Sequence, residues 1–399
     1  MRAPIDYLQC VVERSPEIVA AQAEAESAQD LIDQAGRWLN PELNSQNLFG
    51  MSLGDYQNQN QFSLLQPIQL GGKRDARVAT ATARAKKASA ERDIQLSVTV
   101  GGALSQLLRS VQIRQEMSAI ESAIGAYRRM VANLKRRTVL SPEQRATLAL
   151  FQANLETLEN SSSTLAAEQK ILKATLVGIL LGQQIDWQAL DRFGIADWPE
   201  LSPATNTSLA ANPTLRSFSS LQDLAAAEYQ SASAEAWPDL KLGPMLQLNT
   251  EGPIKFQQYG FEVNVALPIW DLRGPAKRAA LRVSEAAHLV YETRLRQQTI
   301  LLKEKQEAYE LLQKRIADRT PIESFERYLG SVESQFARGV LGPPQVIEAY
   351  RQRIENLRSR FEVERQALSL VVDIWTVRGE VLEKTLSWAK TSWAQGGSK

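Results

Sequence analysis

The sequence predicts a mainly helical chain with a small β part: long antiparallel coiled-coil hairpins, four short strands, and an order of elements that runs twice. Three observations carry this prediction. Proline landmarks recur at matched spacing in the two halves, apolar residues recur every 3.5 positions over long stretches, and four segments alternate apolar with polar residues.

The landmarks come first. Pro16 and Pro213 each open an Ala/Glu/Gln-rich helical stretch, and Pro41 and Pro238 each follow 25 residues later, where proline turns its predecessor away from the helix. Pro67 and Pro268 then precede glycine and a basic, Ala-rich helix start. Seventy-five residues beyond each, Arg137-Thr138-Val139-Leu140-Ser141-Pro142 and Arg338-Gly339-Val340-Leu341-Gly342-Pro343 align at an offset of 201. The spacing gives a first repeat over 1–205: helix 16–38, strands 42–53 and 61–66, long helix 73–137, tip 138–142, return helix 142–181 and linker 182–205. The second, over 206–399, has helix 213–236, strands 239–249 and 256–267, long helix 275–338 broken near Pro321, tip 339–343, return helix 343–385 and a polar, frayed C-terminal tail.

Ile113, Met117, Ile120, Ile124, Tyr127, Val131 and Leu134 alternate steps of four and three, which keeps one seam toward a partner helix. Leu148, Phe151, Leu155, Leu158, Ser162 and Leu165 resume the seam after the first tip, and Tyr350, Ile354, Leu357 and Phe361 after the second. Ser141 with Pro142 and Gln144 forms a capping box, which Gly342, Pro343 and Gln345 mirror. Residues 73 to 137, helical throughout, extend about 98 Å at 1.5 Å per residue, a rod no compact globule needs.

Composition excludes several functions. Forty-six Lys+Arg against 45 Asp+Glu leave no basic footprint for nucleic acid. A single cysteine, Cys10, and a single histidine, His288, cannot build a thiolate or imidazole metal cage, and no phosphate-loop or nucleophile constellation occurs, so neither enzyme nor cofactor is expected. No apolar run of about 18 residues occurs, so a membrane role needs strands. Ile5-Asp6 follow the N-terminal Met-Arg-Ala-Pro where a leader would be apolar, so a secreted protein is met here as mature or truncated. Tyr7-Leu8-Gln9 before Cys10 make a poor lipidation box.

The strands fit a bilayer. Tyr259, Phe261, Val263, Val265 and Leu267 alternate with polar or small residues, as do Leu240, Leu242, Leu246 and Leu248; Leu43, Phe49, Met51, Leu53, Phe62 and Leu64 are a weaker version around an Asn/Gln-rich loop. An antiparallel sheet with one wet face has the same alternation. Four strands cannot close a barrel, and hydrocarbon tolerates no open edge, so a membrane version shares its barrel among copies. Trp38, Trp237 and Trp270 sit at the helix-proximal strand ends, as an interfacial girdle or as plugs beneath a sheet.

These features together resemble the TolC-family outer-membrane factors, the exit ducts of tripartite efflux pumps and type I secretion systems, from Ser15 to about Trp375. The junction Gln66-Pro67-Ile68-Gln69-Leu70-Gly71-Gly72-Lys73-Arg74-Asp75-Ala76-Arg77 is similar to that of the CzcC-like heavy-metal efflux branch, as is Leu267-Pro268-Ile269-Trp270-Asp271. The resemblance implies a homotrimer with a 12-stranded barrel in the outer membrane of a Gram-negative bacterium and a helical tunnel in the periplasm. It implies a periplasmic adaptor and an inner-membrane pump as partners, outer-membrane lipid around the barrel, and passive exit of divalent heavy-metal cations. A same-fold duct for drugs or secreted proteins, and a soluble coiled-coil scaffold or adaptor, are the alternative readings. By position the resemblance places adaptor docking at Arg137, Thr138, Val139, Leu140 and Ser141 and at Arg338, Gly339, Val340, Leu341 and Gly342, which are otherwise simply turns. Glu143 and Glu348 become gate candidates, otherwise parts of a solvated helix face.

Overall fold

The computed structural model describes residues 4–52, 55–179, 186–187, 195, 197–202, 209–269, 271–320 and 322–396. Leu53, Trp270, Pro321 and most of the 182–205 linker lie outside that set. The elements are α1 (Pro4–Arg14), α2 (Pro16–Ala35), β1 (Glu42–Ser52), β2 (Asp55–Gln69), α3 (Lys73–Lys135) and α4 (Pro142–Ile179), followed by α5 (Pro213–Ala234), β3 (Asp239–Glu251), β4 (Ile254–Val265), α6 (Gly274–Ala317), α7 (Ile322–Ala337), α8 (Pro343–Arg378) and α9 (Val381–Gly396). The chain divides into two compact units, one of residues 1–20, 93–213 and 298–399, the other of 21–92 and 214–297.

The first unit is built on the predicted seam. Ile113, Ile120, Ile124 and Tyr127 of α3, Phe151 and Leu165 of α4, Leu329 and Val332 of α7, and Val346, Tyr350 and Ile354 of α8 form one buried cluster. Phe151 lies at its centre, fully buried, with ring centroids 5.4 Å from Tyr127 and 5.8 Å from Phe336. Higher along α3, a Cβ on Gly101 would stand 2.5 Å from Val372 of α8, so glycine lets these helices approach closely. Charged side chains seal the bundle: Arg109 grips Glu168 through both carboxylate oxygens at 2.7 and 2.8 Å, and Glu116, 3% exposed, bonds to Arg358.

The long helix of the second half does break, between Ala317 and Ile322. The joint is held from α8. Arg319 pairs with Glu364 at 2.5 Å and donates to the Arg360 carbonyl at 2.9 Å, while Arg360 donates to the Thr320 carbonyl at 2.7 Å. The C-terminal residues depart from expectation. They form α9, with Trp388 buried against Trp375 and donating to the Asp197 carbonyl at 2.9 Å, because a Schellman turn at Gly379 (φ 70°) folds the chain back onto the unit. Leu382, Leu386 and Ala389 at i, i+4, i+7, with Val381 and Trp388 seven apart, give an apolar stripe at helical spacing there.

The second unit holds a four-stranded antiparallel sheet in the order β1-β2-β3-β4. Two strands are longer than the alternation predicts. Asn/Gln-rich residues 57–60, expected as loop, belong to β2 and pair with β1 on one side and β3 on the other, so backbone hydrogen bonds on both edges override their low strand propensity. The loop expected over Asn249–Lys255 shrinks to a turn at Gly252 (φ 52°) and Pro253. Register then aligns the apolar residues. Leu240 faces Val265, Leu242 faces Val263, Leu246 faces Tyr259 and Phe62, and Leu43 faces Leu64, giving one apolar face across all four strands. The β2–β3 ladder lapses only opposite Gly243 and Pro244, where proline lacks an N–H.

Phe151→Ala is expected to cost about 3–5 kcal/mol, read as a drop in the melting temperature of the helical signal, with Phe151→Leu costing clearly less. Bonding from Arg109 holds the Glu168 carboxyl below the usual carboxylate range. That contribution is present above the unfolded carboxylate pKa and lost as pH falls through the lower folded value. Because Glu168 is 42% exposed, screening limits it to about 1 kcal/mol or less. Glu168→Gln should therefore lower the melting temperature slightly at neutral pH and flatten its fall below about pH 4.3.

Candidate functional site: an open sheet and two helix tips

The apolar face of the sheet is open. Tyr259 is 80% exposed, Phe261 62% and Val263 60%, so these residues pack against no interior of their own protomer. Trp237 and Trp38 stand exposed at the helix-proximal ends of the strands, and Trp270 lies outside the described residues. Trp237 rests on Gly71, where an added Cβ would meet its ring at 2.4 Å, and Arg74 lies over Trp38 at 6.0 Å.

The distinctive junction before α3 explains how the strands are fastened. Gly71 and Gly72 take left-handed backbone (φ 71° and 77°), turning β2 into α3. The basic run that follows is a set of straps: Lys73 reaches Asp239 of β3 at 2.7 Å, Arg74 the Gly36 carbonyl at 2.7 Å, and Arg77 the Gln69 side chain at 2.7 Å. Gln66 adds a bond to the Leu39 carbonyl at 2.9 Å. Its conspicuous residues thus serve anchorage of the sheet, and none is left over as a ligand set.

Both tips are tight turns in the first unit. After α3, Ser141 and Gln144 exchange side-chain-to-backbone bonds at 3.2 Å each, the reciprocal capping box. After α7, Gly339 (φ 75°) donates to Phe336 and Val340 to Gln335, a Schellman motif that explains glycine there. Arg137, Thr138, Val139, Arg338, Gly339 and Val340 are exposed, with Val139 at 84% and Val340 at 70%. Leu140, Ser141 and Gly342 are half-buried. Leu341 packs on the bundle core, where the Schellman turn folds it inward.

Glu348 is exposed, and hydrogen bonds from Gln352 and Arg351 hold its carboxyl below the usual range. Glu143 is exposed at the first turn of α4. Sequence reading missed a groove of about 880 Å³ between α7 and α8 beside the second tip, lined by Phe325, Tyr328, Leu329, Pro344 and Glu348. Its one signal was Phe325 and Tyr328 at i, i+3 on a short helix with an otherwise satisfied seam. His288 lies on the surface of α6 with Gln222 at 3.0 Å and Glu292 at 3.3 Å, and Cys10 is buried in α1. Among the described residues no three His, Cys, Asp or Glu side chains are placed to hold a metal ion, and no helix is long and apolar enough to cross a membrane.

Gly339→Ala, which places a Cβ on left-handed backbone, is expected to destabilise the second tip by about 1–2 kcal/mol, and Ser141→Ala the first by about 1 kcal/mol. Limited trypsin digestion reads both, as cleavage accelerated about five- to thirtyfold after Arg338 and about fivefold after Arg137 when it tracks local opening.

No family model matches the chain. Over 151 residues it is 30% identical to the nickel and cobalt resistance protein CnrC of Cupriavidus metallidurans, a match covering 35% of this chain and only 36% of that relative's length. Solved structures match over nearly the whole chain. The Vibrio cholerae outer membrane protein VceC superposes with a TM-score of 0.71 at 16% identity over 94% of this chain and 95% of its own. The open MtrE outer membrane channel of Neisseria gonorrhoeae gives 0.76 at 14% identity over 96% and 90%, and CusC, solved in studies of transmembrane channel formation, 0.65 at 14% over 96% and 91%. At such identities likeness reports architecture, and the architecture matches the resemblance read from the sequence: the chain has the fold of the TolC-type outer-membrane efflux channels.

Proposed function

We propose that this chain is the outer-membrane channel of a tripartite efflux system and a passive exit duct for divalent heavy-metal cations. The observation that carries it is the sheet: four strands, one continuous exposed apolar face and two unpaired edges, β1 and β4. In lipid such edges must be paired, and three copies supply a closed 12-stranded barrel. The twofold order of helix, two strands, long helix, tip and return helix then gives each protomer two hairpins and two tips. Exposed Trp38 and Trp237 belong at the lipid–water boundary on the helix side of the barrel.

The partners follow from the tips. Val139 and Val340 are apolar, exposed and far along their helices from the sheet in sequence, and the groove beside the second tip offers Phe325 and Tyr328 to a partner helix. A periplasmic adaptor joined to an inner-membrane pump is the partner that fits, with Glu143 lending negative charge beside the first tip while Glu348 beside the second is paired with Arg351. The partial match to a nickel and cobalt resistance protein favours metal ions as cargo. An exit duct driven from elsewhere needs no catalytic group.

Detergent-extracted protein reconstituted in planar bilayers should form discrete pores, and extraction should require detergent. Recovery in the soluble fraction with no conductance would overturn the proposal. In cells, Val340→Glu should reduce metal resistance while the purified variant keeps wild-type conductance, separating docking from transport.

A further inference from the structure

The sheet face opposite the apolar one is coated with amides. Gln46 pairs with Gln61, Gln61 with Gln247 and Gln247 with Gln258, so one row of glutamines crosses all four strands. Amides donate and accept hydrogen bonds but carry no fixed charge, so such a wall leaves ion preference to the few charged residues on it. Its cations are spent. Lys241 lies 2.7 Å from Glu42, and Lys73, reaching in from α3, lies 2.7 Å from Asp239. The other strand lysine, Lys255, is in register with Thr250 and by alternation belongs to the apolar face.

Among the residues whose side chains are described, two carboxylates on the amide face stay uncompensated. Glu251 accepts a bond from Gln57 at 3.3 Å but meets no cation, and Glu262, opposite Gly243, has neither hydrogen-bond nor ion-pair partner among the described residues. Resting on the channel reading above, we propose that Glu262, repeated in three copies on the inner wall, makes the outlet prefer cations over anions, which names the charge class of the cargo.

The physics sets the range of the effect. Twelve strands about 4.8 Å apart, tilted by about 40°, enclose a backbone radius of about 12 Å. The Debye length is about 10 Å at 0.1 M salt and about 3 Å at 1 M, so the field of Glu262 spans the lumen in dilute salt and collapses onto the wall in concentrated salt. Carboxylates spread around so wide a wall cannot chelate one ion together. They raise the local cation concentration without retaining the ion, as an exit requires.

The test is the reversal potential of the reconstituted full-length channel under a potassium chloride gradient. Wild type should show potassium preference with the dilute side near 10 mM and the concentrated side near 100 mM, fading toward none near 1 M. Glu262→Gln should remove about a third to a half of that preference, since one of the few uncompensated carboxylates per protomer is lost, and Glu262→Asp should retain most of it. Equal conductance of all three proteins near 1 M salt would show intact barrels. A pore whose preference is unchanged in Glu262→Gln, or a wild type that prefers chloride in dilute salt, overturns this proposal and leaves the channel reading standing. A wild type that forms no pore overturns both.

Discussion

An unpaired strand edge beside an exposed apolar face is the constraint on which the rest of this structure depends. Each edge residue of β1 and β4 carries backbone groups that water can satisfy and hydrocarbon cannot. The apolar face, with Tyr259, Phe261 and Val263 largely exposed, seeks hydrocarbon or another sheet. Lipid outside and further copies of the same strands at the edges meet both requirements at once. The straps from Lys73, Arg74, Arg77 and Gln66 acquire their purpose in that setting, since they fix where the strands leave the helices.

The helices of the first unit answer a different requirement, that of an internal seam. A core of Tyr127, Phe151, Phe336 and Tyr350 stabilises the bundle near the tips. Ion pairs such as Arg109–Glu168 and the clasp of Arg319, Arg360 and Glu364 across the helix joint lie along its length. The tips need little interior of their own, so what they expose is available to partners. Val139 and Val340 point to such use, whereas Leu341, packed inward, supports the turn.

Much of this was legible in the sequence because its strongest signals are periodic. A 3.5-residue seam over α3, α4 and α8 and alternation in β3 and β4 report burial directly, and Ser141, Gln144 and Gly339 announced their turns by type. Less was legible where pairing, not side-chain pattern, decides structure. The Asn/Gln segment of β2 looks like loop because its residues are poor strand formers, yet two neighbouring strands hold it. Helix α9 hid behind a polar-looking end, since its apolar stripe is short and the turn that returns it depends on Gly379 meeting Ala211 closely. The groove at Phe325 and Tyr328 arises from two helices together, so the i, i+3 spacing of those two residues shows only one of its walls.

The central claim is that one protomer supplies a third of a shared barrel. Native mass spectrometry of the detergent-extracted protein tests it most directly, since each chain contributes 44.4 kDa. The account predicts a complex of three chains that persists after lipid is stripped away. A folded single chain, stable in detergent or in water, would contradict it.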